Sequence, residues 1–112
     1  MTEEEFNNRL KMYVLIRKDI LTDVQCGVQA AHAIQEYNNN HPDCEKLKSW
    51  AHDHKTLIFL EANEKQLDAY KELPLKHASF YESDLNDMET AVAFEPMTHL
   101  QGAETFSKLK LI

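Results

Sequence analysis

Residues able to do chemistry fall at five places in this chain. Arg17, Lys18 and Asp19 close an apolar run, Met12 to Ile16. The two cations suit a phosphate and the carboxylate can orient them, although charged residues also simply end a strand at a surface. Gln29 and His32 stand three residues apart, so a helix makes them neighbours. Each follows an apolar position, Val28 or Ala31, which places both at the edge of a buried stripe, where a histidine is more often packed than a base. Glu82-Ser83-Asp84, with Asp87 and Glu89 close behind, forms a dense acidic turn. Such a turn can hold a general base or a divalent cation, or can merely be solvated. Its spacing lacks the EF-hand pattern, so calcium is not supported. Thr90 heads a later apolar run, where its hydroxyl can donate to a substrate oxygen or satisfy backbone. The fifth place is the scatter of His41, His52, His54, His77 and His99. His52-Asp53-His54 suggests metal ligation, but spacing supplies no third ligand, and surface histidines are the expectation. No metal and no cofactor is expected. With Gly27 and Gly102 the only two glycines, a glycine-rich phosphate cradle is excluded, and there is no P-loop, GxGxxG, GxSxG or HExxH.

The elements that must position these residues follow from periodicity. The run Met12-Tyr13-Val14-Leu15-Ile16 is short, β-branched and aromatic, and reads as a buried strand. After its charged end, Thr22 or Asp23 can cap a helix. Val24, Val28, Ala31 and Ile34 recur along that helix at its period, which predicts them as its buried stripe. A ligand commonly sits where a strand's carboxyl end meets a helix's amino end. Residues 1–10 form a polar lead-in with a short helix from Glu3 to Leu10, and residues 11–112 form one domain. Asn38 to Pro42 is a loop. Asp43 caps a second helix through His54, with Leu47, Trp50 and Ala51 on one face. Thr56 to Leu60 is a second strand, and Asn63 caps a helix from Glu64 to Leu73 with Leu67 and Tyr70 inward, closed by Pro74. His77 to Glu82 alternates weakly as a third strand, Ser83 to Glu89 is a polar turn, and Thr90 to Phe94 is a fourth strand. A short helix near Ala103 precedes Lys108 to Ile112, a strand end or docked coil. Strands alternating with helices predict an α/β domain with a small sheet of about four strands.

Composition sets the outer limits. At 112 residues, 43% hydrophobic and 28% charged, the chain suits one ordinary soluble globular domain. No apolar run approaches the roughly 20 residues of a membrane span, and the acidic MTEEEFNNRL is not a signal peptide. Cys26 and Cys44 lack CxxC or zinc spacing, so free thiols in a reducing cytosol are expected, with no membrane partner. The net charge of −7 argues against a polyanion partner, unless the fold gathers Arg17, Lys18, Lys108 and Lys110 into one basic patch.

The ordered pieces KMYVLIRKD, VQAAHA, TAVAFEP and the terminal KLKLI resemble the type 2 peptidyl-tRNA hydrolases. Members of that family show a strand ending R-x-D, a helix containing A-Q-C-S-H-A, a D-A-G-R-T turn, a strand T-V-L-A-I-G-P and a closing L-K-L-L. The match spans residues 11–112. The resemblance implies a four-stranded mixed sheet flanked by helices on both faces, a homodimer, and hydrolysis of the ester joining a peptidyl or related acyl group to the 3′ end of tRNA. By position it carries Arg17 and Asp19 to the strand-end pair, Gln29 and His32 to the helix motif, and Thr90 to the head of the last strand. The acidic turn ESDLND is shorter than the family's, leaving Asp84 as heir to its aspartate and Glu82 as rival. The family's turn lysine, four residues before the glutamine, is replaced by Gln25, which can donate a hydrogen bond but supplies no cation. Asp84, Thr90 and Gln25 are the catalytic candidates, and Arg17, Lys18, Asp19, Gln29, His32 and Glu82 the candidates for substrate binding. The alternative is a catalytically silent member that binds protein or RNA.

Overall fold

The middle strand of the sheet explains the rest of the architecture. In the computed structural model, which describes residues 1–112, β1 (Leu10–Ile16) pairs along one edge with β2 (Thr56–Glu61), in parallel. Along its other edge it pairs antiparallel with β4 (Met88–Phe94). A strand paired on both sides and covered on both faces has no wet side, which is why Met12 to Ile16 are apolar without alternation and all buried. Next to β4 lies β3 (His77–Glu82), antiparallel, giving the order β2-β1-β4-β3. A two-residue strand, β5 (Met97–Thr98), pairs with the start of β1, so the mixed sheet has five strands rather than the four anticipated.

Helices cover both faces. Met12, Val14 and Ile16 of β1 point toward α2 (Asp23–Asn40) and α3 (Glu45–Ser49), whose Cys26, Ala30, Ala33, Tyr37 and Leu47 join them in one core. Tyr13 and Leu15 point the other way, toward Leu67 of α4 (Glu64–Lys71) and Phe106, which follows α5 (His99–Thr105). A short α1 (Glu3–Asn7) with a Thr2 capping box precedes the sheet and stops before the anticipated Leu10, which already belongs to β1.

The buried stripe of α2 differs from the one periodicity suggested, of which only Ile34 packs, half-buried, against the core. Val24 is 78% exposed and Val28 49%, and Ala31 is exposed, while Cys26, Gln29, Ala30, Ala33 and Tyr37 are buried. Two apolar stripes at helical spacing run along this helix, and packing selects between them. Ala30 and Ala33 join one core with Ala78, Ala91 and Ala93 of the sheet, small side chains that let the helix lie close over β3 and β4. The valines are left outside. Thr22, not Asp23, caps the helix, in a capping box with Gln25.

The segment after α2 also differs from expectation. Cys44, without a side-chain cap, takes the place expected of Asp43, and α3 gives way at Trp50–His54 to a π-helical turn that ends on Lys55 at φ 65°. Trp50 is anchored by its indole N–H to the Thr56 carbonyl at 2.6 Å, and Ala51 is exposed. Asn63 caps α4 as anticipated, with Gln66 returning the bond, though the helix ends at Lys71 rather than Leu73. The C-terminal segment docks on β2 through an isolated antiparallel bridge, Leu111 opposite Leu60, with Glu61 N donating to Lys110 O and Ile112 N to Phe59 O. No helix is long and apolar enough to cross a membrane.

Candidate functional site

A β-bulge decides where Thr90 points. In the β3–β4 ladder Phe80 opposes Ala91 and Tyr81 opposes Glu89, so Thr90 is the extra residue in its strand. Strict alternation from Val92 and Phe94 would turn Thr90 toward α4. The bulge instead sends it to the α2 side, together with Ala91. There its hydroxyl, fully buried, donates to Gln29 Oε1 at 2.5 Å. The Gln29 side chain, itself only 4% exposed as a residue, donates through Nε2 to Glu82 Oε1 at 3.0 Å. The bulge is fixed at its back by Arg17 N donating to the Thr90 carbonyl at 2.9 Å. A hydrogen-bonded chain thus runs from a buried hydroxyl on β4, through α2, to a half-buried carboxylate at the end of β3. Each buried polar atom in it has a partner, as burial demands.

This chain opens into a cleft of about 230 Å³ between α2 and the β3–β4 turn. Gln25, Gln29, Glu82 and Asp84 line it, beside Leu21, Val24, Val28 and Leu85. Asp84 stands on a single 3-10 turn (Ser83–Leu85), followed by Asn86 and Asp87, both left-handed at φ 55° and 57°. Asn and Asp tolerate that conformation better than other side-chain-bearing residues, which lets so short a turn reverse the chain and hold Asp84 at the cleft wall. Gln25 reaches the cleft from the first turn of α2. Its Oε1 accepts from Thr22 N at 2.9 Å, leaving its NH2 group without a protein partner. Candidates Gln25, Gln29, Glu82 and Asp84 therefore line one cleft, and Thr90 lies buried behind it, joined only through Gln29. His32 lies one helical turn on, exposed, with its ring stacked on Phe80 at 4.3 Å and 9°. It packs beside the chain without bonding to it.

The strand-end charges are arranged differently. Arg17 is buried and grips Asp19 bidentately, Nε to Oδ1 at 2.9 Å and Nη2 to Oδ2 at 3.0 Å. That pairing raises the guanidinium pKa and holds the Asp19 carboxyl below its usual range. Arg17 turns to the α4 face and lines a separate cleft of about 380 Å³ with Lys71 and Glu89. Lys18 pairs with Asp23 at 2.7 Å, and the same bond raises the lysine and lowers the aspartate. Lys18 and Asp19 line a third cleft of about 290 Å³ with Lys108 and Lys110. The basic patch conceived from sequence therefore splits. Three lysines gather around the end of β1, Arg17 faces away, and Asp84 stands in a cleft without cations. The loop from Lys18 to Leu21 runs from the lysine cleft to the Asp84 cleft.

The sequence reading missed the Lys71–Glu89 pair, bidentate at 2.8 Å on the α4 side of the bulge. Nothing in the spacing of those two residues signals it, since the bulge sets the side on which Glu89 emerges. It also missed Leu21 and Leu85 as cleft walls. Cys26 and Cys44 are buried free thiols; burial pushes the Cys26 thiol pKa up, which keeps it protonated and unreactive. No group of three or more His, Cys, Asp or Glu is placed to hold a metal ion, and His52 pairs only with Asp53. No protein-family model matches this chain and no curated protein matches it.

Proposed function

We propose that this chain hydrolyses the ester joining a peptidyl or related acyl group to tRNA, at the cleft between α2 and the β3–β4 turn. The observation that carries the reading is the convergence of Gln25, Gln29, Glu82 and Asp84 on one small cleft, with the buried Thr90 bonded to Gln29 behind its wall. Asp84, exposed and without a protein partner, is the general base: its carboxylate takes a proton from water as the water oxygen bonds to the ester carbonyl carbon. The free NH2 of Gln25 donates to the oxyanion that forms. Collapse breaks the bond to the ribose oxygen, which leaves with the proton returned from Asp84. Thr90 and Glu82 hold the Gln29 amide in one orientation, so this wall of the cleft is set before substrate arrives. Lys18, Lys108 and Lys110, at the far end of the short connecting loop, meet tRNA phosphates, and a homodimer belongs to the same proposal. Purified chain is to be tested for release of tRNA from a peptidyl-tRNA. Turnover that disappears in Asp84→Asn, with unchanged circular dichroism, supports the assignment; equal turnover in that variant removes Asp84 from the mechanism.

A second reading is favoured by the pairing of the strand-end cations, Arg17 with Asp19 and Lys18 with Asp23, and by glutamine at position 25 where a cation is expected. On that reading the chain is catalytically silent and binds protein or RNA. It predicts no tRNA release by the wild type under any condition in which the chain is folded.

A further inference from the structure

We infer that the open edge of β3 pairs antiparallel with the same edge of a second copy of this chain, and that the pairing brings the partner's Lys76 beside Glu82 at the wall of the Asp84 cleft. The interface rests on the strand alone; a role for that lysine at the cleft rests on the hydrolase reading.

The two edges of the sheet are finished differently. The chain covers β2 with its own C-terminal segment, through the bridge of Leu111 to Leu60 and the bonds at Lys110 and Ile112. At the other end of the order β2-β1-β4-β3, no strand lies beyond β3. The carbonyls of Lys76 and Glu82 turn toward the β4 side, where they accept from Glu95 N at 2.9 Å and Asp87 N at 3.0 Å. Alternation therefore turns the backbone groups of His77, Ser79 and Tyr81 to the open edge. The His77 carbonyl accepts there from His41 Nε2 at 3.3 Å, which agrees with that direction and leaves its second lone pair. From His77 to Tyr81 the strand has no lysine, carboxylate or proline, the usual means of blunting an exposed edge, and the bulge beside it belongs to β4.

One register uses all three outward residues of both copies. It places Ser79 against its own counterpart on a two-fold axis, with His77 opposite the partner's Tyr81. The same register sets Lys76 opposite the partner's Glu82, twice, at positions where facing side chains approach closest. A shift of two residues either way loses backbone bonds and separates the charges. Lys76 is exposed and pairs with no carboxylate of its own chain, and Glu82 commits only Oε1 to Gln29. Two chains of net charge −7 thus meet where their charges are opposite, and the cleft that lacks a cation gains one. Tyr81, 55% exposed in the single chain, is covered by the partner's His77.

The axis also sets the two copies of α2 on one face of the joined sheet. Each lies over β3 and β4, so strands about 4.8 Å apart bring the helices to about 10 Å, a distance at which helices pack. The flank each presents carries Val28, 49% exposed, and His32, whose ring rests on Phe80 of β3.

Sedimentation equilibrium of wild type, Lys76→Glu and Glu82→Lys tests the pairing, with circular dichroism as the check on folding. Wild type is expected at twice its 13.0 kDa. Either variant alone sets like charges opposite each other at both ends, and is expected to dissociate about tenfold more readily. Mixed in equal amounts, the two variants set opposite charges at both ends, and wild-type affinity is expected to return. In a wild-type sample of mixed isotope labelling, an interchain NOE between the α-protons of Ala78 and Phe80, whose Cα atoms stand about 4.5 Å apart in this register, reads the interface without any substitution. A monomer at concentrations up to about 1 mM, a dimer lacking that NOE, or folded variants that pair no better mixed than alone, overturns the inference. A dimer of this kind that releases no tRNA contradicts the hydrolase reading alone; tRNA release by a monomer contradicts this inference alone.

Discussion

Replacing Thr90 by valine isolates the chain on which the site depends. Thr90 is fully buried and its hydroxyl is the donor to Gln29 Oε1, in a residue only 4% exposed. Valine preserves the shape and the β-branch that suits a strand, so no cavity opens. What changes is the Gln29 carbonyl oxygen, left without a donor where water scarcely reaches. An orphaned buried acceptor costs about 1–3 kcal/mol, a sizeable share of the 5–15 kcal/mol that holds such a domain together. For a chain of this length that is a fall in Tm of about 4 °C per kcal/mol. Urea unfolding followed by circular dichroism reads the loss, with an unchanged m-value showing that the transition stays two-state. The double variant with Gln29→Met removes the orphan, and Glu82, half-buried, recovers its lost bond from water. The double variant is therefore expected to retain about 1 kcal/mol more stability than the two single losses added together. A Thr90→Val protein within about 0.5 kcal/mol of wild type, or strict additivity in the cycle, refutes the buried chain.

Two further perturbations follow from packing and from charge. A Cβ at Gly102 of α5 would overlap the ring of Tyr13, which is buried and packed against Phe106 at 4.9 Å. Gly102→Ala, a gain in most helices, is accordingly expected to cost about 1–3 kcal/mol in urea unfolding, and a variant as stable as wild type contradicts the close approach. On the α4 face, burial pulls Lys71 down but the Glu89 carboxylate outweighs it, and the lysine pKa lies above its ordinary 10.5. Because the folded value is raised, the pair's contribution is full below that ordinary value and is lost as pH rises through the folded one. Stability should fall as pH rises above about 10.5, and Glu89→Gln should flatten that limb; a limb unchanged by the substitution would assign it to other groups.

Much of this arrangement is legible in the sequence because single residues force it. The apolar run at β1, the caps at Thr22 and Asn63, and Pro74 after α4 each act locally, and they give an α/β sheet with helices on both faces. The inward face of α2 is not decided locally. Val24-Val28-Ala31 and Cys26-Ala30-Ala33-Tyr37 have the same period, and only the alanines waiting on β3 and β4 select the second. Thr90 is hidden for a related reason: alternation places it with Val92, and a one-residue bulge turns it to the opposite face. The charges at positions 17 to 19 suggested a phosphate site, yet each finds a nearer carboxylate or cation within the fold. Gln29, Glu82 and Asp84 came into view as candidates through residue type and order, and Gln25 only through the family resemblance. Their meeting in one cleft needed the turn of Asn86 and Asp87.

The most direct measurement is the rate of tRNA release from purified peptidyl-tRNA by wild type, Asp84→Asn and Gln25→Lys, side by side. The hydrolase account predicts turnover by wild type, a loss of about 100-fold or more in Asp84→Asn, as expected when a general base is removed, and no dependence on restoring the lysine. No release by wild type, with release appearing in Gln25→Lys, contradicts it and leaves a scaffold that binds without cleaving.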